Sequence, residues 1–208
     1  MRLRAWEPTG VRCEFARLAL VRLSVFYDYT CGYSYRFWRW LDACAAPLGL
    51  DVEWKAFSLR EINRDPGTPS LFDPSGSSVS VLALALAHAA READFDRYHR
   101  DVFNAMHEEH RKVGPDDLLA IATGAGVDRD AFEAHRSRWT QSAGREHGEA
   151  VAGHGVFGTP TLILDGSAIF IRFSEIPSEQ GPLFEILQRV CSGYPQLIEI
   201  KRPSRPSS

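Results

Sequence analysis

The sequence predicts an α/β domain in which a mixed sheet, flanked by helices, is interrupted by an all-helical insertion. Three observations carry this. Residues 21–59 read strand–helix–strand, residues 77–148 read helical throughout, and residues 161–191 read as a hairpin followed by a helix. A strand–helix–strand of this length implies a right-handed parallel crossover.

Val21 to Asp28 alternates and is β-branched, so it forms the first strand. Ser34 to Leu48 reads as a helix with Phe37, Trp38, Leu41 and Ala45 inward, ending at Pro47-Leu-Gly49. Asp51 to Leu59 alternates again as the second strand. The stretch from Asn63 to Gly76 is dense with Pro, Gly, Ser and Asp and must be loop, either a plain connection or a flap over a site. Val79–Arg91 and Phe95–His110 follow as helices, then a helix opening at Pro115 near N1, then Phe132 to His147. Thr161–Asp165 and Ala168–Phe173 flank an Asp165-Gly166 turn, a hairpin signal. Gly181–Cys191 is a final helix and Leu197–Lys201 a short extended end. The domain organisation expected is therefore an extension at 1–20, one sheet domain from 21–62 and 150–202, an insertion at 63–149, and a disordered tail at 203–208. Residues 1–20 lack periodicity and are either a tail or an upstream mis-assigned start.

The chemistry concentrates where the first strand meets its helix, at Tyr27-Asp-Tyr-Thr-Cys31-Gly-Tyr-Ser34. Free N–H groups and partial positive charge at a helix N-terminus stabilise a thiolate, so a cysteine there is a candidate nucleophile. The bland alternative is a small apolar residue at a helix start. Far downstream, Gly158-Thr159-Pro160-Thr161 enters a β-branched run. Proline cannot donate to a sheet ladder and belongs at a strand's first residue, and an X–Pro bond costs only about 0.5–1 kcal/mol to be cis.

Cys31-Gly-Tyr-Ser34 paired with Gly158-Thr159-Pro160-Thr161 across a helical region resembles the DsbA-like branch of the thioredoxin fold, over about residues 21–202. Trp54-Lys-Ala-Phe-Ser58-Leu-Arg-Glu-Ile-Asn63, Ile176-Pro177 and Ile198-Glu-Ile-Lys-Arg202 are similar to the mycothiol-dependent nitroreductase group. Tyr27 to Tyr35 resembles kappa-class glutathione transferases and 2-hydroxychromene-2-carboxylate isomerases, which carry serine where this chain has Cys31. The resemblance implies a thiol–disulfide oxidoreductase with Cys31 as nucleophile. Pro160 and Thr159 would shape the substrate side, with Thr159 offering backbone hydrogen bonds. Gly32 stands where the family usually has proline. The implied cosubstrate is a low-molecular-weight thiol, glutathione- or mycothiol-like, with no tightly bound cofactor.

The main departure is Ser34. A dithiol enzyme needs a second cysteine one helical turn on to resolve the mixed disulfide internally. Ser34 is positioned to hydrogen-bond a Cys31 thiolate but forms no disulfide. Cys44 lies thirteen residues along the helix, about 20 Å at 1.5 Å per residue, on another face. Cys44 and Cys191 read as core; Cys13 sits in the extension. The motif therefore supports monothiol chemistry. Alternatives are a transferase or isomerase of the kappa type using a bound thiol, and a degenerate binding module.

Tyr33 reads as a pocket wall or hydroxyl donor, or as a surface aromatic packed on the Thr159-Pro160 loop, and His154 as a neighbour of Cys31 or a residue that merely packs or caps. Tyr27, Tyr33, Tyr35, Phe37, Trp38 and Trp40 read as core before pocket. Arg36 and Arg60 are candidate anion holders or solvated surface. His107-Glu-Glu-His110, with His99 two turns earlier, reads as a solvated polar face, and no metal-ligand pattern supports a metal site.

The 208 residues are 44% hydrophobic with a net charge of −3 and a pI near 6.2, which excludes a global basic field for nucleic acid. No run approaches a membrane span, and the N-terminus lacks a signal-peptide apolar region, so a reducing, cytoplasmic setting is expected for a monomer or homodimer.

Overall fold

The computed structural model describes residues 21–73, 78–194, 196, 197 and 199. The expectations for the 1–20 extension, for Cys13, for the 203–208 tail and for most of the extended end fall outside the described residues.

The first strand, β1 (Val21–Tyr27), is followed by helix α1 (Gly32–Leu48) and strand β2 (Leu50–Ala56). Helices α2 (Leu59–Ile62), α3 (Val79–Ala90) and α4 (Phe95–Phe103) come next, the last running into a π-helical turn at Asn104–Glu108. Helices α5 (Pro115–Gly124), α6 (Arg129–Ala134) and α7 (Arg136–His154) complete the helical block. Strands β3 (Thr161–Leu164) and β4 (Ser167–Phe170) and helix α8 (Gly181–Gly193) close the chain.

The sheet runs β2-β1-β3-β4, with β1 parallel to β2 and the β1–β3 and β3–β4 pairs antiparallel. Strand alternation sorts β1 between two faces. Leu23 and Val25 pack with Phe37, Trp40, Leu41 and Cys44 of α1 and with Phe184 and Cys191 of α8. Phe26 faces the other way, onto Ala150 of α7 and Val156. The hairpin turn places Asp165 and Gly166 at φ 51° and 77°, the left-handed pair that matches strand twist.

Four boundaries differ from the sequence reading. Strand β2 stops at Ala56 because Ser58 caps α2, its Oγ accepting from the Glu61 N–H at 3.1 Å. Ser58-Leu-Arg-Glu61 is a capping-box pattern that marks this start in the sequence. The helix expected over Phe95–His110 changes to π-helical winding after Phe103. The one expected from Phe132 is two, α6 and α7, broken at His135. Strand β4 is shorter than Ala168–Phe173. The described part of the 63–73 loop lies on α2 and α7 rather than over Cys31: Leu71 N–H donates to Glu61 at 2.7 Å, and Phe72 packs on Gly144 and His147.

The insertion is built around α3, whose residues Ser80–Ala90 are all buried, as expected of a helix apolar on every side. It is tied to the sheet by Glu146 of α7. That carboxylate accepts from the Ala56 N–H at 2.5 Å and pairs with Arg91 at 2.8 Å. His88 Nε2 lies 3.2 Å away. Although burial opposes ionisation, these partners pull the Glu146 pKa down to about 2.

A second tie is His99 of α4. It is fully enclosed by Tyr27, Tyr29, Trp38, Trp54, Phe95 and Phe103, and its Nδ1 lies 2.9 Å from the Tyr29 hydroxyl. Burial, with Arg91 adding to it, holds its pKa well below 6.5. The unfolded chain therefore binds a proton that the folded chain refuses, and this contribution to stability is lost as pH falls through 6.5. His107 and His147 add in the same direction, while Asp28, whose burial raises its pKa, opposes them at lower pH. Chemical denaturation from pH 6.5 down to about 5 should show His99→Gln with a shallower loss than the wild type, by about 1.4 kcal/mol per pH unit. Parallel slopes would mean that His99 is protonated inside the fold.

Candidate active site

Strand β1 ends at Tyr27, and the chain turns sharply so that the Cys31 N–H donates to the Asp28 carbonyl at 3.1 Å. Cys31 takes the N-cap position of α1 in extended conformation, φ −92° and ψ 112°, and its carbonyl accepts the first helical bond from Tyr35 at 3.1 Å. The thiol thus stands at the positive end of a 17-residue helix. Across from it, the Thr159–Pro160 peptide is cis, and Cys31 Sγ donates to the Thr159 carbonyl at 3.3 Å. Ile171 N–H holds the Pro160 carbonyl at 3.0 Å, so the loop is anchored to the segment after β4. Cys31 and Thr159, 128 residues apart, are brought together.

Asp28 organises the turn. Its fully buried carboxylate accepts from Thr30 N–H at 2.8 Å, Thr30 Oγ1 at 2.7 Å and Leu59 N–H at 2.8 Å. One side chain therefore fixes both the loop before Cys31 and the first turn of α2. Burial raises its pKa, against the lowering by those three donors and by His107.

Ser34 is placed differently from expectation. It is fully buried one turn after Cys31, but its Oγ accepts from the Asp28 N–H at 3.4 Å, and no hydrogen bond among the described residues joins it to the thiol. The Asp28 N–H is a donor left over by the turn, and Ser34 is the acceptor within reach. His154 packs: its ring is tilted against Phe26 at 5.9 Å, and its Nε2 lies 4.0 Å from Glu149. Gly32 is the first residue of α1. Tyr33 is exposed, with the guanidinium groups of Arg36 and Arg172 at 5.4 and 5.3 Å from its ring centre. Tyr27, Tyr35, Phe37, Trp38 and Trp40 are buried. Trp38 also lines a cleft of about 720 Å³ between α1, β2 and α4, whose lining does not include Cys31. Cys44 and Cys191 lie in one apolar cluster, and burial pushes each thiol up to about 11.

His107, read in the sequence as solvated, belongs to the site. Its Nε2 lies 2.7 Å from the Tyr29 carbonyl, which only accepts, so Nε2 carries the proton and Nδ1 is the free lone pair. A β-carbon built on Gly32 would lie 3.9 Å from Nδ1. The ring stacks on Tyr35 at 5.2 Å. Burial lowers its pKa, helped by His110 and Arg36 and opposed by the Tyr29 carbonyl and Asp28, so the imidazole beside the thiol loop is neutral at pH 7. The π-helical turn that carries it is a winding often found at functional positions. His99 and His107 turn to different atoms of Tyr29 and do not converge.

The profile of the DSBA-like thioredoxin domain family matches residues 22–175. An uncharacterized protein of Mycobacterium tuberculosis is 27% identical over 189 residues, covering 87% of this chain and 81% of that protein. Among solved structures, the cytosolic disulfide reductase DsbM of Pseudomonas aeruginosa aligns with a TM-score of 0.58 at 20% identity, over 82% of this chain and 100% of its own. A 2-hydroxychromene-2-carboxylate isomerase aligns with a TM-score of 0.56 at 20% identity, over 82% and 96%. At these identities the two structures attest the fold.

Replacing Asp28 by Ala strands two half-buried N–H donors, those of Thr30 and Leu59, each worth about 1–3 kcal/mol. The variant should lose roughly 2–4 kcal/mol in denaturant unfolding. A loss under about 1 kcal/mol would show that the turn before Cys31 does not depend on this carboxylate.

Proposed function

The chain belongs to the DSBA-like thioredoxin domain family, and from that premise we propose that it is a thiol–disulfide oxidoreductase working through Cys31 alone. A low-molecular-weight thiol of glutathione or mycothiol type would release the product. The observation that carries this is the pairing of a helix-capping thiol with the Thr159 carbonyl, while Ser34 occupies the position a resolving cysteine would need.

In the proposed cycle the Cys31 thiolate attacks one sulfur of a disulfide, and the other sulfur leaves as a thiolate. The mixed disulfide on Cys31 is then attacked by the external thiol. Backbone groups of Thr159 and Pro160 hold the extended part of the disulfide beside Sγ. Cys44 and Cys191 take no part, since each is buried and pushed toward the neutral thiol. His107 Nδ1, 3.9 Å from a β-carbon built on Gly32, is an acceptor beside the turn that carries Cys31. Among the described residues no helix is long and apolar enough to cross a membrane. Likeness to a reductase described as cytosolic supports a reducing compartment, where an external thiol is abundant.

The likeness to the isomerase favours a second reading, in which the small thiol is a bound cosubstrate and Cys31 takes the place of that group's serine. Two variants separate the readings. Cys31→Ser should abolish reduction of a small disulfide, by about a thousandfold or more, as expected on removing a nucleophile. Ser34→Cys should restore internal resolution and make turnover less dependent on external thiol. Disulfide reduction that survives Cys31→Ser would move the isomerase reading ahead.

A further inference from the structure

Around the thiol, a ring of contacts runs from the Thr159 carbonyl through Phe170, Arg172 and Tyr33, side chains that the catalytic reading does not use. Thr159, which accepts from Cys31, follows Gly158, where an added β-carbon would lie 3.1 Å from the Phe170 ring. Phe170 packs against Phe157 at 5.0 Å and carries the Arg172 guanidinium 5.4 Å from its centre. The same guanidinium lies 5.3 Å from the ring of Tyr33, and Arg36 lies 5.4 Å from it. Tyr33, two residues after Cys31, completes the circuit.

Three rings of this circuit are turned to solvent, Phe157 at 67%, Tyr33 at 37% and Phe170 at 36% exposure. The two cations are also without acidic partners. Arg39 and Arg91 hold Glu108 and Glu146 at 3.2 and 2.8 Å, whereas neither Arg36 nor Arg172 reaches a carboxylate among the described residues. Arg36 spends one N–H on the Phe173 carbonyl at 3.2 Å. In addition, the Thr159 hydroxyl is buried with no partner. Two guanidinium groups within 5.4 Å of one exposed ring, in a chain of net charge −3, concentrate positive charge two residues from the thiol. Packing on the ring orients a guanidinium and leaves N–H groups, all but one in the case of Arg36, to meet a carboxylate.

We propose that this face selects small disulfides bearing carboxylates, with Arg36 and Arg172 holding the anionic groups and Tyr33, Phe157 and Phe170 receiving the flat or apolar part. The proposal rests on the thiol–disulfide reading and names the substrate class of that same site. In the step it favours, the Cys31 thiolate forms a bond to one sulfur of the disulfide. The S–S bond breaks, and the electron pair departs on the second sulfur as an anionic thiolate. The disulfide is itself the oxidant.

The test compares two aromatic disulfides of opposite character, 5,5′-dithiobis(2-nitrobenzoate), which is dianionic, and 2,2′-dipyridyl disulfide, which is uncharged. Rates are followed at Cys31 in the full chain, with the modified residue identified by peptide mass. The reading is the ratio of the two rates, divided by the same ratio for N-acetylcysteine amide, so that a general change in Cys31 reactivity cancels. At low salt the wild-type value should exceed one by roughly tenfold and fall as salt is added. Arg172→Gln, and separately Arg36→Gln, should each bring it toward one. A wild-type value near one, or a value unmoved in both variants, overturns the proposal. Inertness of Cys31 to both disulfides would overturn the thiol–disulfide reading and the proposal together, an outcome distinct from an equal ratio.

Discussion

Strand β1 is paired on both edges, and where it ends is dictated by those two ladders together. On one side it runs parallel with β2 through Tyr27 opposite Ala56, and on the other antiparallel with β3 through Phe26 opposite Thr161. The residue after β1 on the chain and the residues just before β3 therefore emerge at the same end of the sheet. Cys31 and Thr159 meet because of this register. A one-residue slip of β1 would reverse Leu23, Val25 and Phe26 between the two faces, which both are packed against helices, so the register has little freedom.

What the ladders place, Asp28 makes rigid. Its carboxylate takes donors from the loop before the thiol and from α2, and its own N–H goes to Ser34. The residue in the resolving position of a two-cysteine motif is thus used to close the turn. Tyr29 connects the same turn to the insertion through two histidines, His99 at its hydroxyl and His107 at its carbonyl. The insertion is therefore part of the thiol's surroundings, and the neutral imidazole of His107 gives that loop an acceptor without adding a positive charge.

The sheet and the two halves of the thiol site were legible because they rest on local signals. Alternation marks β1, Asp165-Gly166 marks the hairpin, and Thr159-Pro160 marks an entry to a strand. The contacts that aim side chains were not. His107 sits in a run that reads as a polar helical face, but the π-helical turn adds a residue to the winding and rotates it inward onto Tyr29, 78 residues away. His99 is enclosed by aromatic residues of β1, α1 and β2 that helical periodicity cannot see. The motif points Ser34 at the thiol because nothing in it announces the spare Asp28 N–H. Nothing local marks Arg172, because only the folding back of the segment after β4 carries it to Tyr33.

The proposal that Cys31 acts without an internal resolving partner is tested most directly by the fate of its mixed disulfide. The reduced full-length protein would be mixed with a small symmetrical disulfide, freed of excess reagent, and followed by intact mass and peptide mapping. The account predicts one adduct, on Cys31, that persists until a free thiol is added and then discharges. Spontaneous loss of the adduct with formation of a disulfide between Cys31 and another cysteine of the chain would contradict it.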